Sequence, residues 1–125
     1  MLQANNFGHG TVNKGNVVYY ENDAFSGTKN PDKTPIPGIP GSAVFTVNDV
    51  GGFFNATDNQ GNPITVGKRK YSGGTLRAQA TILIHETAHQ IMVSGFQPDF
   101  SRPKAGKAND QLVDTNCRTL IEGLQ

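Results

Sequence analysis

The sequence predicts an α+β fold in which a small twisted sheet packs on one central helix and a second helix follows at the C-terminal end. Short β-branched and aromatic runs occupy residues 1–72, helical patterns occupy 73–125, and Gly73-Gly74 separates the two parts. A chain of 125 residues has the size of one domain. We therefore expect a single domain over 1–125, with a β- and loop-rich part and a helical part.

The first part contains several runs with the composition of strands. Each is bounded by Gly, Asn, Asp or Pro, which favour turns. The segment 27–41 is dense in Pro and Gly, which do not sustain a ladder of hydrogen bonds, so it is predicted to be a loop. Residues 58–62 (DNQGN) predict a turn between two strands, and the basic run 68–70 is typical of a strand edge. The predicted strands are 16–20, 43–47, 52–55 and 64–66.

Two helices are predicted in the second part. Residues 75–94 contain no Gly or Pro, follow a Gly-Gly break with Thr75 or Ser72 as N-cap, and meet Gly95 as a stop. This first helix is apolar at consecutive central positions, so we expect it to be covered on most sides. The second helix is predicted over 107–123. Its apolar residues recur at helical spacing: Leu112, Val113, Cys117, Leu120, Ile121 and Leu124.

Composition excludes several classes of function. The 11 Lys and Arg nearly balance the 10 Asp and Glu, and no basic stripe is present, so a nucleic-acid partner is not expected. No apolar window is long enough for membrane insertion. Cys117 is the single cysteine, which precludes an intrachain disulfide, and we expect its thiol to be buried.

The first residues, MLQANNFGHG, lack the basic and apolar regions of a signal peptide and are typical of a start within a longer protein. We therefore expect the chain to be a domain excised from a larger protein. Its Gly-, Asn- and Thr-rich composition favours an extracellular or secreted location.

The motif that carries chemistry is HETAH, an HExxH pattern inside the first predicted helix. On a helix His85 and His89 lie one turn apart on the same face, so both imidazoles can bind one ion. A zinc ion with two such ligands and a third keeps a position for water and lowers the pKa of that water toward neutrality. Glu86 lies beside the histidines and can act as general base. The alternative interpretation is two helix histidines satisfied by neighbouring side chains.

The stretch LIHETAHQ, residues 83–90, resembles the zincin metallopeptidases. This resemblance implies a zincin-like fold, Zn2+ as the cofactor, His85 and His89 as zinc ligands and Glu86 as the general base. It also implies a peptide or protein substrate. The chain is most similar to the small HExxH domains of bacterial proteins.

The longer signatures of the zincin subfamilies do not follow the motif. Metzincins carry HExxHxxGxxH or HExxHxxGxxD, but Met92 stands at the Gly position and Gly95 at the third-ligand position. Gluzincins place a Glu on a later helix, usually with an Asp four residues on, whereas Glu122 has no residue 126 after it.

The third metal ligand is therefore ranked by geometry. Asp99 lies ten residues beyond His89, and the turn-like GFQPD allows the chain to return along the helix, so we favour Asp99. The other acidic candidates fall opposite the apolar stripe of the second helix, where they are expected to be solvated. These candidates are Asp110, Asp114 and Glu122, with Asp114 expected to pair with Arg118.

Two amides fall on the apolar stripe of the second helix. Buried amides need hydrogen-bond partners, so we expect Asn109 and Asn116 to tie down the 95–105 loop. From there they would orient Asp99 or a histidine.

The first functional hypothesis is a zinc-dependent hydrolase, specifically a metallopeptidase, with the substrate extended along the sheet edge above the metal. The alternative is a metal-stabilised or vestigial-site binding module of a larger extracellular bacterial protein. Glu86 favours the hydrolase, because a purely structural metal site has no use for a general base. A chain this small leaves little material for a second cleft wall, so an adjacent domain of the parent chain is the expected partner.

Overall fold

The computed structural model describes residues 7–10, 19–22, 25–29, 35–37, 43–91, 93–99 and 102–125. Within these ranges the chain is a small α+β fold, with the strands before Gly73 and two helices after it. The strands are β1 (Phe7–Gly10), β2 (Tyr19–Asn22), β3 (Phe25–Lys29), β4 (Pro35–Pro37), β5 (Ala43–Asn48), β6 (Thr65–Val66) and β7 (Tyr71–Ser72). The helices are α1 (Leu76–Gln90) and α2 (Pro103–Glu122).

The described strands form three small sheets. β5 lies at the centre of a three-stranded sheet, parallel to β1 and antiparallel to β2. β6 and β7 form a short antiparallel hairpin. The predicted strands at 43–47 and 64–66 are thus present. The predicted strand at 16–20 is present from residue 19, and residues 16–18 lie outside the described ranges.

The predicted loop over 27–41 is wrong in part, because β3 and β4 pair within it. Phe25 lies opposite Pro37 and Lys29 opposite Pro35, with an irregular register between them. A two-stranded ribbon consists of edge strands only, where a proline without an N–H is tolerated. Proline content therefore excluded a central strand here but not a short edge pair.

The predicted strand at 52–55 is wrong, because this segment is a turn. The Gly51 carbonyl accepts hydrogen bonds from the amides of Phe54 and Asn55, at 3.3 and 3.1 Å. The Asn55 side chain then donates to the carbonyls of Asp49 and Gly51, at 2.7 and 3.0 Å. An Asn side chain that satisfies nearby carbonyls offers the backbone an alternative to strand pairing.

The predicted turn at 58–62 is confirmed. One Asp58 carboxylate oxygen accepts from the amides of Gln60 and Asn62, at 2.9 and 2.8 Å, as in an Asx turn. The residues on either side of this turn, Thr57 and Pro63, form an isolated β-bridge and not two full strands. The basic run 68–70 forms the turn between β6 and β7 and not a strand edge.

α1 begins where the sequence predicts. The Thr75 hydroxyl accepts a hydrogen bond from the Ala78 amide at 3.2 Å, which satisfies one free donor of the first turn. The helix ends at Gln90, four residues before the predicted end. Gly95 has a φ of 85° and turns the chain back after the helix.

α2 begins at Pro103, four residues before the predicted start, because proline suits the first helical position, where its missing N–H is not needed. Its buried face is an i, i+4 stripe and is narrower than predicted. Leu120 is 66 % exposed and Cys117 is partly exposed, so the predicted burial of both is wrong. The buried residues are Ala105, Asn109, Val113 and Ile121.

The core forms between α1, β5 and the β6–β7 hairpin. Val47, Val66, Ala78 and Ile82 make up one buried cluster, with Phe53 and Tyr71 packed against it. Neither described helix is long and apolar enough to cross a membrane.

The two helices pack on each other and are joined at one end by Arg77. This residue, in the first turn of α1, donates to the carbonyls of Glu122 and Leu124, both at 2.9 Å. An arginine at these carbonyls satisfies acceptors that the end of a helix leaves free.

Candidate metal centre

Three potential ligands converge where α1 meets the connection to α2. His85 Nε2 lies 2.8 Å from one Asp99 carboxylate oxygen, and His89 Nε2 lies 3.1 Å from the other. The two Nε2 atoms are 3.2 Å apart. One ligand atom from each residue lies within 4.8 Å of the other two. The structure thus brings together the three residues that the sequence favoured, in a group that can hold a metal ion.

The spacing of the two imidazole nitrogens fits a shared cation. Zinc–nitrogen bonds of about 2.0–2.1 Å at a tetrahedral ion put two nitrogen ligands about 3.3–3.4 Å apart. The observed 3.2 Å between His85 Nε2 and His89 Nε2 is close to that separation. Two imidazoles and a carboxylate also leave the fourth position of a tetrahedral site open. The donor set accepts several divalent metals, zinc among them.

Asn109 orients Asp99, as the sequence predicts. Its side-chain amide donates to Asp99 Oδ2 at 3.0 Å and to the Gln97 carbonyl at 2.7 Å, and its oxygen accepts from the Gln97 amide at 2.9 Å. The side chain is fully buried, and these bonds tie the connection to α2. The matching prediction for Asn116 is wrong, because Asn116 is exposed and donates to the Leu112 carbonyl of its own helix.

Asp110 contacts His85, which sequence reasoning missed. Its carboxylate lies 3.1 Å from His85 Nδ1, so its predicted position as a solvated charge opposite the apolar stripe is wrong. The available signal was its place directly after Asn109, at the margin of the buried stripe. Carboxylates that bind the outer nitrogen of a metal-ligating histidine are a general feature of metal sites.

The two remaining acidic candidates lie away from the three ligands. Asp114 accepts two hydrogen bonds from Arg69, at 2.8 and 3.0 Å, so its predicted pairing with Arg118 is wrong. Arg118 instead pairs with Glu122 at 3.1 Å. These ion pairs join surface segments, which accounts for both carboxylates without a metal.

Glu86 is buried beside the ligands, with 5 % of its surface exposed. Burial disfavours the carboxylate form and raises the pKa of Glu86 from its ordinary 4.5 to about 7, against a smaller lowering by His85. A carboxyl group with a pKa near neutrality can accept and release a proton at physiological pH, as a general base must.

The ligands themselves have shifted pKa values. Burial would lower the pKa of His85, but hydrogen bonds to Asp110 and Asp99 and the charge of Glu86 outweigh it and raise the pKa. Burial lowers the pKa of His89. For Asp99, burial is outweighed by hydrogen bonds from Asn109 and His85, which lower its pKa. Asp99 is therefore a carboxylate at neutral pH and is ready to bind a cation.

Phe96 covers the two imidazoles and is a second contact that sequence reasoning missed. Its ring meets His85 and His89 edge to face, with centroids 5.1 and 4.8 Å apart. It belongs to the turn-like GFQPD segment, whose reversal also carries Asp99 back. An apolar ring at this place limits the access of water to the ligand nitrogens.

Comparison with known proteins gives no relative: no family model, curated sequence or solved structure matches this chain. The candidate metal centre therefore rests on its own geometry.

Proposed function

We propose that the protein is a zinc-dependent hydrolase, specifically a metallopeptidase, in which His85, His89 and Asp99 hold Zn2+. The observation that supports this most directly is the convergence of two imidazole nitrogens and a carboxylate, all within 4.8 Å, with Glu86 buried next to them. The α+β fold with the motif on a central helix is compatible with a zincin-like architecture, which remains part of the proposal.

His85, His89 and Asp99 would hold the zinc ion, which would supply a Lewis acid for a substrate carbonyl and a water molecule. In the proposed reaction Glu86 takes a proton from the attacking water and passes it to the leaving amine as the amide bond breaks. Asn109 keeps the Asp99 carboxylate oriented toward the two imidazoles. Phe96 shields the ligand nitrogens from bulk water.

The substrate in this proposal is a peptide or an unfolded segment of a protein. A structural metal site would need the ligands alone, so a buried glutamate next to them favours catalysis over a metal-stabilised binding module. The proposal would fail in favour of that module if metal binding were present without hydrolysis.

The test has two parts, metal content and turnover. Metal content of the purified chain is measured by plasma mass spectrometry for the wild type and for a His85→Ala/His89→Ala variant. We expect about one zinc per chain in the wild type, following the one ligand set found among the described residues, and none in the variant. A chain that takes up no zinc even after dialysis against it would refute the proposed centre.

Turnover is then measured with a peptide library, using Glu86→Gln as the paired variant. Gln is close to Glu in shape but cannot accept the proton, so we expect zinc to be retained and cleavage to be lost. Asp114→Asn is the control, because it likewise replaces a carboxylate by an amide but lies outside the ligand set. Equal cleavage by the wild type and Glu86→Gln would refute the role of Glu86.

A further inference from the structure

We infer that Asp110 is a positioning residue that sets the metal affinity of the proposed centre by fixing the proton on His85. This inference rests on the proposed function, since it needs His85 to bind a metal ion. It adds a residue outside the HExxH motif and outside the three ligands. The experiment below separates its failure from that of the metal site.

The chemistry of the contact determines which His85 nitrogen carries a proton. A carboxylate only accepts hydrogen bonds, so the 3.1 Å contact with Asp110 requires His85 Nδ1 to donate. In the structure Nε2 lies 2.8 Å from Asp99 Oδ2, so it donates as well. When a cation takes the place of that proton, the hydrogen bond from Nδ1 to Asp110 leaves the lone pair of the ring on Nε2. Nε2 is the nitrogen that lies near His89 Nε2 and Asp99. Asp110 thus keeps the remaining proton of His85 on Nδ1, so that Nε2 is the nitrogen available to a cation.

Asp110 also holds the direction of the ring. His85 Nδ1 is bound to α2, and the opposite nitrogen points at Asp99, so rotation of the imidazole about its side-chain bonds would break the Asp110 contact. Asn109, the preceding residue, holds Asp99 from the same turn of α2. Two adjacent residues of one helix therefore position two of the three ligands, one from α1 and one from the connection.

Asp114 offers an internal control. It lies one helical turn after Asp110 on α2 and pairs with Arg69. Its contact is with a cation on a different segment, and its removal changes the net charge as the removal of Asp110 does. A difference between the two variants therefore reports the contact with His85 and not the loss of a negative charge.

The experiment titrates the metal-free full chain with Zn2+ in competition with a chromophoric chelator. The wild type is compared with Asp110→Ala, Asp110→Asn and Asp114→Ala. We expect Asp110→Ala to lower zinc affinity about 10–100-fold, the range for loss of such a partner. Asp110→Asn keeps a carbonyl oxygen that accepts from Nδ1, so it is expected to recover most of that loss. Asp114→Ala is expected to bind zinc like the wild type.

A second readout does not depend on a variant that folds. Nitrogen-15 NMR of the histidine rings in the zinc-loaded wild type is expected to show His85 protonated at Nδ1, with zinc at Nε2. Zinc at Nδ1, or equal affinity in Asp110→Ala and the wild type, would overturn the role of Asp110 while leaving the metal site intact. A wild type that binds no zinc would overturn the metal site and the inference together.

Discussion

The two halves of α2 contact different parts of the molecule, as Asp110 and Asp114 show. Both are aspartates on the same helix, one turn apart, yet Asp110 contacts a histidine of the candidate metal centre and Asp114 forms an ion pair with Arg69. The difference arises from what lies opposite each residue, α1 in one case and the β6–β7 turn in the other. Residue type and helical position alone therefore do not assign a carboxylate to a site.

The largest expected difference between these regions is in metal binding. Asp99→Ala removes a proposed ligand, so we expect zinc affinity to fall by more than the roughly 10–100-fold expected for a supporting residue. Asp114→Ala is the control and is expected to leave affinity unchanged. Competition titration measures both. Unchanged affinity in Asp99→Ala would remove Asp99 from the ligand set.

The next largest effect concerns Glu86 in the metal-free protein. Its pKa is about 7 in the folded state and 4.5 ordinarily, so the folded state holds the proton more tightly. Stability from this carboxyl is present below pH 4.5 and is lost as the pH rises toward 7. Between those values wild-type stability should fall by about 3 kcal/mol relative to Glu86→Gln.

Urea unfolding of both proteins at pH 4.5, 6 and 8, with a chelator present, measures this difference. Groups distant from Glu86 titrate alike in the two proteins, so the difference between the curves reports Glu86 together with the part of the His85 pKa shift that the charge of Glu86 causes. A constant difference across the pH range would show that Glu86 ionises normally and is not held in a low-dielectric site.

Asn109 and Asn116 allow the two halves of α2 to be compared with uncharged residues, by the stability lost when each is replaced. Asn109→Ala removes a fully buried side chain together with its three hydrogen bonds to Gln97 and Asp99, so we expect a loss of about 1–3 kcal/mol in unfolding free energy. Asn116→Ala removes an exposed bond and should stay within about 0.5 kcal/mol of the wild type. Chemical denaturation gives both values. Equal losses would mean that the connection is not tied down by Asn109.

The smallest effect on stability is expected at the ion pair between Arg69 and Asp114. The hydrogen bond from Arg69 holds the pKa of Asp114 below its ordinary 3.8. The contribution of this carboxylate is therefore present above pH 3.8 and lost as the pH falls through the lowered value. Asp114→Asn should lower the melting temperature slightly at pH 6 and low salt, and less at high salt. A larger loss than that of Asn109→Ala would reverse the proposed order of the two regions.

The local signals in the sequence were sufficient for the start of α1, its N-cap and the turn at 58–62, but not for the end of α1. Each depends on residues within a few positions, as Thr75 and the Ala78 amide show. The predicted strand at 52–55 is wrong because its aromatic residues are typical of a strand, whereas the Asn55 side chain closes a turn. A composition rule cannot weigh that bond against strand pairing, because pairing depends on a partner elsewhere in the chain.

The residues of the candidate site likewise divide into those that local spacing predicts and those that depend on the packing of distant segments. Helical spacing placed His85 and His89 together, and chain length placed Asp99 within reach of them. Asp110 and Phe96 could not be assigned, because their contacts depend on how α1, α2 and the connection pack. The zinc hydrolase remains a prediction that the measurements above address.

Arg77 helps to restrain the movement of α1 relative to α2. It joins the start of α1 to the carbonyls of Glu122, the last residue of α2, and of Leu124, while His85 and Asp110 join the two helices further along. Tilting or sliding of one helix against the other would break one of these two contacts. We therefore expect the angle between α1 and α2 to change little if a metal ion binds at the candidate centre.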